Sequence, residues 1–247
     1  MLLGCGTVAG DPAAGAAPAP EIRIESRKVE AGAAKGLRYD WITRPEPRAD
    51  APLVVIGHGF MRSAARMRGL GEHLARLGYV VALPDFRHSR PWSGGHAKNA
   101  VDLAGLAGQL GEGRKVALAG YSAGGCAAML AALEKAPDAL VLLDPVFTSG
   151  VTADKARELK TPALALFARP GSCNAHGSGL PTAKALPKVR VVELPAASHA
   201  HFEFPLDPLA LRVCGGAAGG ADDAAIQRQI LDEITRFLRA KIPPSQN

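Results

Sequence analysis

The stretch "VALAGYSAGGCAAMLAA", residues 116–132, decides the fold. Its first part is a short apolar run, of the kind a strand shows when both of its faces are buried. Its last part is rich in alanine, the residue that loses least on entering a helix. Between them stands Gly120-Tyr121-Ser122-Ala123-Gly124. A bare Gly-x-Ser-x-Gly is weak evidence, because such a pentapeptide arises readily in a chain rich in glycine. The plainer reading of Ser122 is a small residue filling a turn. The context favours the sharper one: a strand that enters and a helix that leaves give the geometry of a nucleophile elbow. There the serine is held in a strained turn, and glycines on either side let strand and helix pass closely.

Outward from this stretch, strand-like and helix-like segments alternate, which predicts an α/β fold with a mostly parallel central sheet and helices on both faces. "EIRIESRKVE" and "GLRYDWIT", separated by residues 32–36, form an antiparallel edge in this reading. "PLVVIGHG", "YVVALPDF", "ALVLLDPV", "PALALFA" and "VRVVELP" supply further strands. Helices are expected over 63–77, around 99–110, over 124–135 and around 153–159, while "RPGSCNAHGSGLP" is expected to be irregular. Ile226, Ile230, Ile234, Phe237 and Leu238 fall on one stripe, as in an amphipathic helix packed on the sheet. No long insertion separates the strands, so little or no lid is expected.

Serine is a poor nucleophile at neutral pH. It needs a histidine base held by a third group, and acyl chemistry needs donors for the developing oxyanion. "GHGF", residues 57–60, follows a buried strand, and the amides of Phe60 and Ala123 are the expected oxyanion donors. His58 is read as a brace for that loop. The base should lie after the last strand, where "ASHAHFE" offers His199 and His201; His199 is the choice. The acid belongs after the strand that follows the serine helix, or one strand later. The later position holds no carboxylate between Ala168 and Thr182, whereas Asp144 ends "LVLLD". Its plainer role is an Asp-Pro turn. Tyr121 and Trp92, the latter in the basic loop "RHSRPWSGGH", are candidate substrate-binding residues.

The chain has 247 residues and a formal charge of +6, a length suited to one domain with a sizeable core. Between Met61 and Lys98, seven Lys or Arg face two acidic residues. Such an excess steers anions or forms a solvated face. No zinc-ligand spacing, RNP-like aromatic motif or basic repeat points to nucleic acid, and no apolar run approaches the roughly 18 residues of a membrane span. Residues 1–20, made largely of Ala, Gly and Pro, read as a flexible N-terminal tether, with the domain over 21–247. Leu2-Leu3-Gly4-Cys5 resembles a lipobox, which would make Cys5 a lipid anchor, but the charged and hydrophobic regions that should precede it are missing. Periplasmic, membrane-anchored or secreted placement therefore stands beside a cytoplasmic one. Cys126 is expected in the core. Cys173 and Cys214 lie in expected loops and would pair in an oxidising compartment, although spacing alone fixes no connectivity.

"GHGF", "GYSAGG", "LLDPV" and "ASHAHFE", in this order, resemble an α/β-hydrolase over nearly all of the chain from about residue 21. "DPV" and "SHxxFE" resemble the chlorophyllase and dienelactone-hydrolase-like branch of serine esterases. The resemblance implies Ser122 as nucleophile, His199 as base and Asp144 as orienting acid, with Phe60 and Ala123 as oxyanion donors and neither cofactor nor metal. Many relatives carry the acid one strand later, and a strict dienelactone hydrolase has cysteine where this elbow has serine. The expected function is hydrolysis of small or extended carboxylic esters through an acyl-enzyme. An amidase, peptidase or thioesterase would use the same parts, and a non-catalytic binding protein could keep the fold.

Overall fold

The computed structural model describes residues 19–90, 95–148, 150–215 and 221–244. Cys5 and Trp92, and with them the anchor and one candidate substrate contact, lie outside these residues. Among the described residues eight strands form one sheet: β1 (Arg23–Lys28), β2 (Arg38–Thr43), β3 (Leu53–Gly57), β4 (Val80–Asp85), β5 (Val116–Tyr121), β6 (Ala139–Leu143), β7 (Ala163–Ala168) and β8 (Val189–Leu194), in the order β1-β2-β4-β3-β5-β6-β7-β8. β1 and β2 are antiparallel to each other, β2 is antiparallel to β4, and all later pairings are parallel. The central strands β3, β6 and β7 are buried at every position, as continuous apolar runs covered on both faces should be.

Among the described residues seven α-helices connect and cover the sheet: α1 (Arg68–Arg76), α2 (His96–Leu110), α3 (Ala123–Glu134), α4 (Ala153–Glu158), α5 (Leu180–Lys184), α6 (Pro208–Val213) and α7 (Ala221–Lys241). On one face α2 and α3 bury Leu103, Leu106 and Met129, joined by Cys126 as expected. On the other, α1 contributes Leu70 and Leu74, and α7 contributes Ile230, Ile234, Phe237 and Leu238. The long helix α7 begins with Asp222 and Asp223 and ends with Arg239 and Lys241, signs that oppose the partial charges at its two ends. Among the described residues no helix is long and apolar enough to cross a membrane.

Two segments differ from expectation. The helix expected over 63–77 opens as a 3₁₀ turn, Ala64–Met67, before α1. The segment expected to be irregular holds a 3₁₀ stretch, Ser172–Gly177, and the start of α5. Ala175 and His176 take positive φ there, so no helical periodicity runs through it. Cys173 and Cys214 are joined in a disulfide with their Cα atoms 5.5 Å apart.

Candidate active site

Ser122 sits between β5 and α3 with φ 54° and ψ −119°, a conformation that glycine adopts easily and other residues only under constraint. The constraint comes from close packing. A Cβ on Gly120 would overlap the backbone of Gly124, and one on Gly124 would overlap the backbone of Gly57 and His58. The two motif glycines therefore let β5, α3 and the β3 loop meet around the serine.

The ends of three strands converge here. His199 stands in a 3₁₀ turn, His199–Phe202, after β8, and Asp144 directly follows β6. His199 Nε2 is 3.0 Å from Ser122 Oγ, and His199 Nδ1 is 2.6 Å from Asp144 Oδ2. Asp144 is fully buried, while His199 and Ser122 are 7% and 8% exposed. An acceptor-only carboxylate at Nδ1 places the ring proton on that nitrogen and leaves Nε2 free to accept from the serine hydroxyl.

Asp144 is itself held. Its Oδ1 accepts from the Ala168 amide at 3.1 Å, and Asn174 Nδ2 donates to Oδ2 at 3.0 Å. Asn174 Oδ1 in turn accepts from the amides of Gly171 and Gly177. Asn174 was not among the residues expected at the site, since an uncharged amide marks no catalytic role in the sequence. The available signal was a polar residue beside Cys173 in the loop where the acid of many relatives lies.

Ala123 is the first residue of α3, where amides have no acceptor within the helix. Among the described residues neither its amide nor that of Phe60 meets a hydrogen-bond acceptor. Met61, after Phe60, takes φ 55° and donates to Ser89 O at 2.8 Å, which fixes the course of the loop. His58 is buried and braced as expected: its Nε2 accepts from the Phe86 amide at 2.9 Å, and Nδ1 donates to Gly59 O at 2.8 Å. Burial holds its pKa below the ordinary value. Tyr121, a candidate substrate contact, is 3% exposed, and its ring lies 4.8 Å from that of His199. Its described ring contact is with the histidine.

The local excess of cations is largely absorbed by ion pairs. Arg62 Nε is 2.7 Å from Glu203 Oε1, without hydrogen-bond alignment, and Arg66 is 2.8 Å from Asp207. Arg68 pairs with Asp40, Arg76 with Glu72 and Arg87 with Asp102. Glu203 is fully buried; burial raises its carboxyl pKa, and Arg62 and Arg66 pull it back. The other loop histidine, His201, receives the Ser198 amide at Nδ1 and contacts Asp223 through Nε2 at 3.0 Å. It anchors the histidine turn to α7, away from Ser122.

A mostly parallel sheet with a strained serine after its central strand, and histidine and acid on later strand ends, is the α/β-hydrolase fold. One similar solved structure is a protein of Klebsiella pneumoniae subsp. pneumoniae described as a "Putative Dienelactone Hydrolase", with 17% identity, a TM-score of 0.65 and coverage of 90% of this chain and 98% of that one. No protein-family model matches the chain, and no curated protein matches it. At that identity the likeness establishes the architecture, and the chemistry rests on the residues themselves.

Proposed function

We propose that the protein is a serine hydrolase of carboxylic esters. The observation that carries this reading is the hydrogen-bonded series from Ser122 Oγ through His199 to Asp144. His199 Nε2 takes the hydroxyl proton as Oγ attacks the ester carbonyl, and Asp144 stabilises the imidazolium that forms. The amides of Phe60 and Ala123 receive the oxyanion. As the tetrahedral intermediate collapses, His199 returns the proton to the leaving alcohol. Water, deprotonated by the same nitrogen, then releases the acid from Ser122.

The Cys173–Cys214 disulfide supports placement in an oxidising compartment, periplasmic or extracellular. The deciding experiment is hydrolysis of short-chain and medium-chain p-nitrophenyl esters by the wild-type protein, Ser122→Ala and Asp144→Asn, each checked for folding. Activity lost in both variants, with fluorophosphonate labelling of the wild type alone among it and Ser122→Ala, is the expected result. Folded wild-type protein that neither labels nor turns over any ester would overturn the proposal.

A further inference from the structure

The antiparallel edge and the 3₁₀ turn before α1 line a cleft of about 470 Å³ that the chemistry above does not use. Arg27, Lys28, Arg38 and Arg68 line it, against two carboxylates, Asp40 and Asp85. Asp40 is already engaged, by Arg68 at 2.7 Å and by the Ser26 hydroxyl at 2.9 Å. Asp85 accepts from the Ala64 amide at 3.3 Å. Arg27 pairs with Glu25 at 2.6 Å and stacks over Trp41. Lys28 and Arg38 remain, and neither has an ion-pair partner among the described residues.

These two cations stand directly opposite each other in the β1–β2 register, and Asp85 stands opposite Arg38 on its other side without forming an ion pair with it. Like charges in that relation destabilise an antiparallel pair. Lysine on an outer strand can be accounted for as protection against edge-to-edge pairing, but Arg38 lies on β2, whose two sides are both paired. An anion between the two side chains would turn this repulsion into attraction. Arg38 would offer the planar fork that matches a carboxylate, and Lys28 a second charge.

Position suggests where the anion comes from. Arg38 pairs in register with Asp85, the last residue of β4, so the cleft opens at the carboxyl end of the parallel strands, the side on which open α/β sheets bind ligands. β3 lies between β4 and β5. Strand spacing then puts β4 about 10 Å, β2 about 14 Å and β1 about 19 Å from the strand that leads into Ser122. We infer that the cleft is an anion subsite, in which Lys28 and Arg38 hold a carboxylate at the far end of an extended ester whose carbonyl is at Ser122.

The inference rests on the ester-hydrolase reading, and two measurements separate the fates of the two. In the first, wild-type protein and Lys28→Gln/Arg38→Gln are given the monomethyl and dimethyl esters of one medium-chain dicarboxylic acid. The wild type is expected to show a KM about five- to tenfold lower for the charged monoester, the scale of two partly exposed charge contacts. That ratio should shrink with added salt and collapse towards one in the double variant. The double variant should melt no lower than the wild type, since it relieves opposed like charges. An equal ratio in the two proteins, or none in the wild type, overturns the inference. In the second, Ser122→Ala is titrated calorimetrically with the monoester and with inorganic phosphate, with and without the two Gln substitutions. Monoester binding that these substitutions abolish supports the subsite even if no ester is turned over. Binding of phosphate alone points to a free anion and overturns the substrate assignment.

Discussion

Asn174 carries no charge and belongs to no motif, yet its amide donates to the carboxylate that faces His199. Asn174→Ala should lower kcat about tenfold with little change in KM, as loss of an outer hydrogen bond to a functional carboxylate does elsewhere. Asn174→Asp adds negative charge near His199, favours the imidazolium and should move the acid limb of the pH–rate profile upward. A profile unchanged in both variants would remove Asn174 from the machinery. Ser122, His199 and Asp144 were legible as candidates because each is a reactive residue type at the end of a recognisable strand; a neutral amide gives no such signal. His58 makes a separate prediction. Burial depresses its pKa, and those of His73 and His96, below the ordinary value of about 6.5. Between the two values the unfolded chain binds more protons, so this stability is present above about pH 6.5 and is lost as pH falls. Glu203, with its raised pKa, acts in the opposite sense, and Glu203→Gln removes that contribution alone. Urea unfolding of this variant at pH 7 and pH 5 should show lower stability at pH 5.

At the level of elements, two loops that belong to different strands are fastened together. The β3 loop and the 3₁₀ turn behind it carry Phe60, Arg62 and Arg66; the β8 loop carries His199, Glu203 and Asp207. Besides the ion pairs, the Phe204 amide donates to Arg66 O at 2.7 Å. Arg62→Ala leaves a fully buried carboxylate short of its nearest cation and should cost about 3 kcal/mol in urea unfolding. Glu203→Gln, which removes the charge in need of a partner, should cost less. The reverse order would show that the pair is not what fastens the loops. The disulfide encloses a separation of 41 residues, and replacing both cysteines by serine should cost up to about 4 kcal/mol, again read by urea. The ion pairs and the backbone bond were not legible, since each joins residues distant in sequence, whereas the Cys173–Cys214 pair was expected from two cysteines in loops. The strands and longer helices were, because apolar runs and an apolar stripe are local. α5 and α6, at five and six residues, are too short to display a period.

Across the whole molecule, the alternation of segments was enough to give a mostly parallel sheet with an antiparallel edge. It could not give the exchange of β3 and β4 in the strand order, which depends on how crossovers pack in three dimensions. The outermost strand, β1, is exposed throughout and reads Arg-Ile-Glu-Ser-Arg-Lys, a composition that discourages pairing with another chain. Its opposed Lys28 and the strained Ser122 are both places where folding alone would choose a different residue. At position 122 glycine would relieve a positive φ of 54°, so Ser122→Gly should melt higher than Ser122→Ala. At that turn the backbone alone favours glycine, so the hydroxyl held 3.0 Å from His199 Nε2 is kept there at a cost in stability.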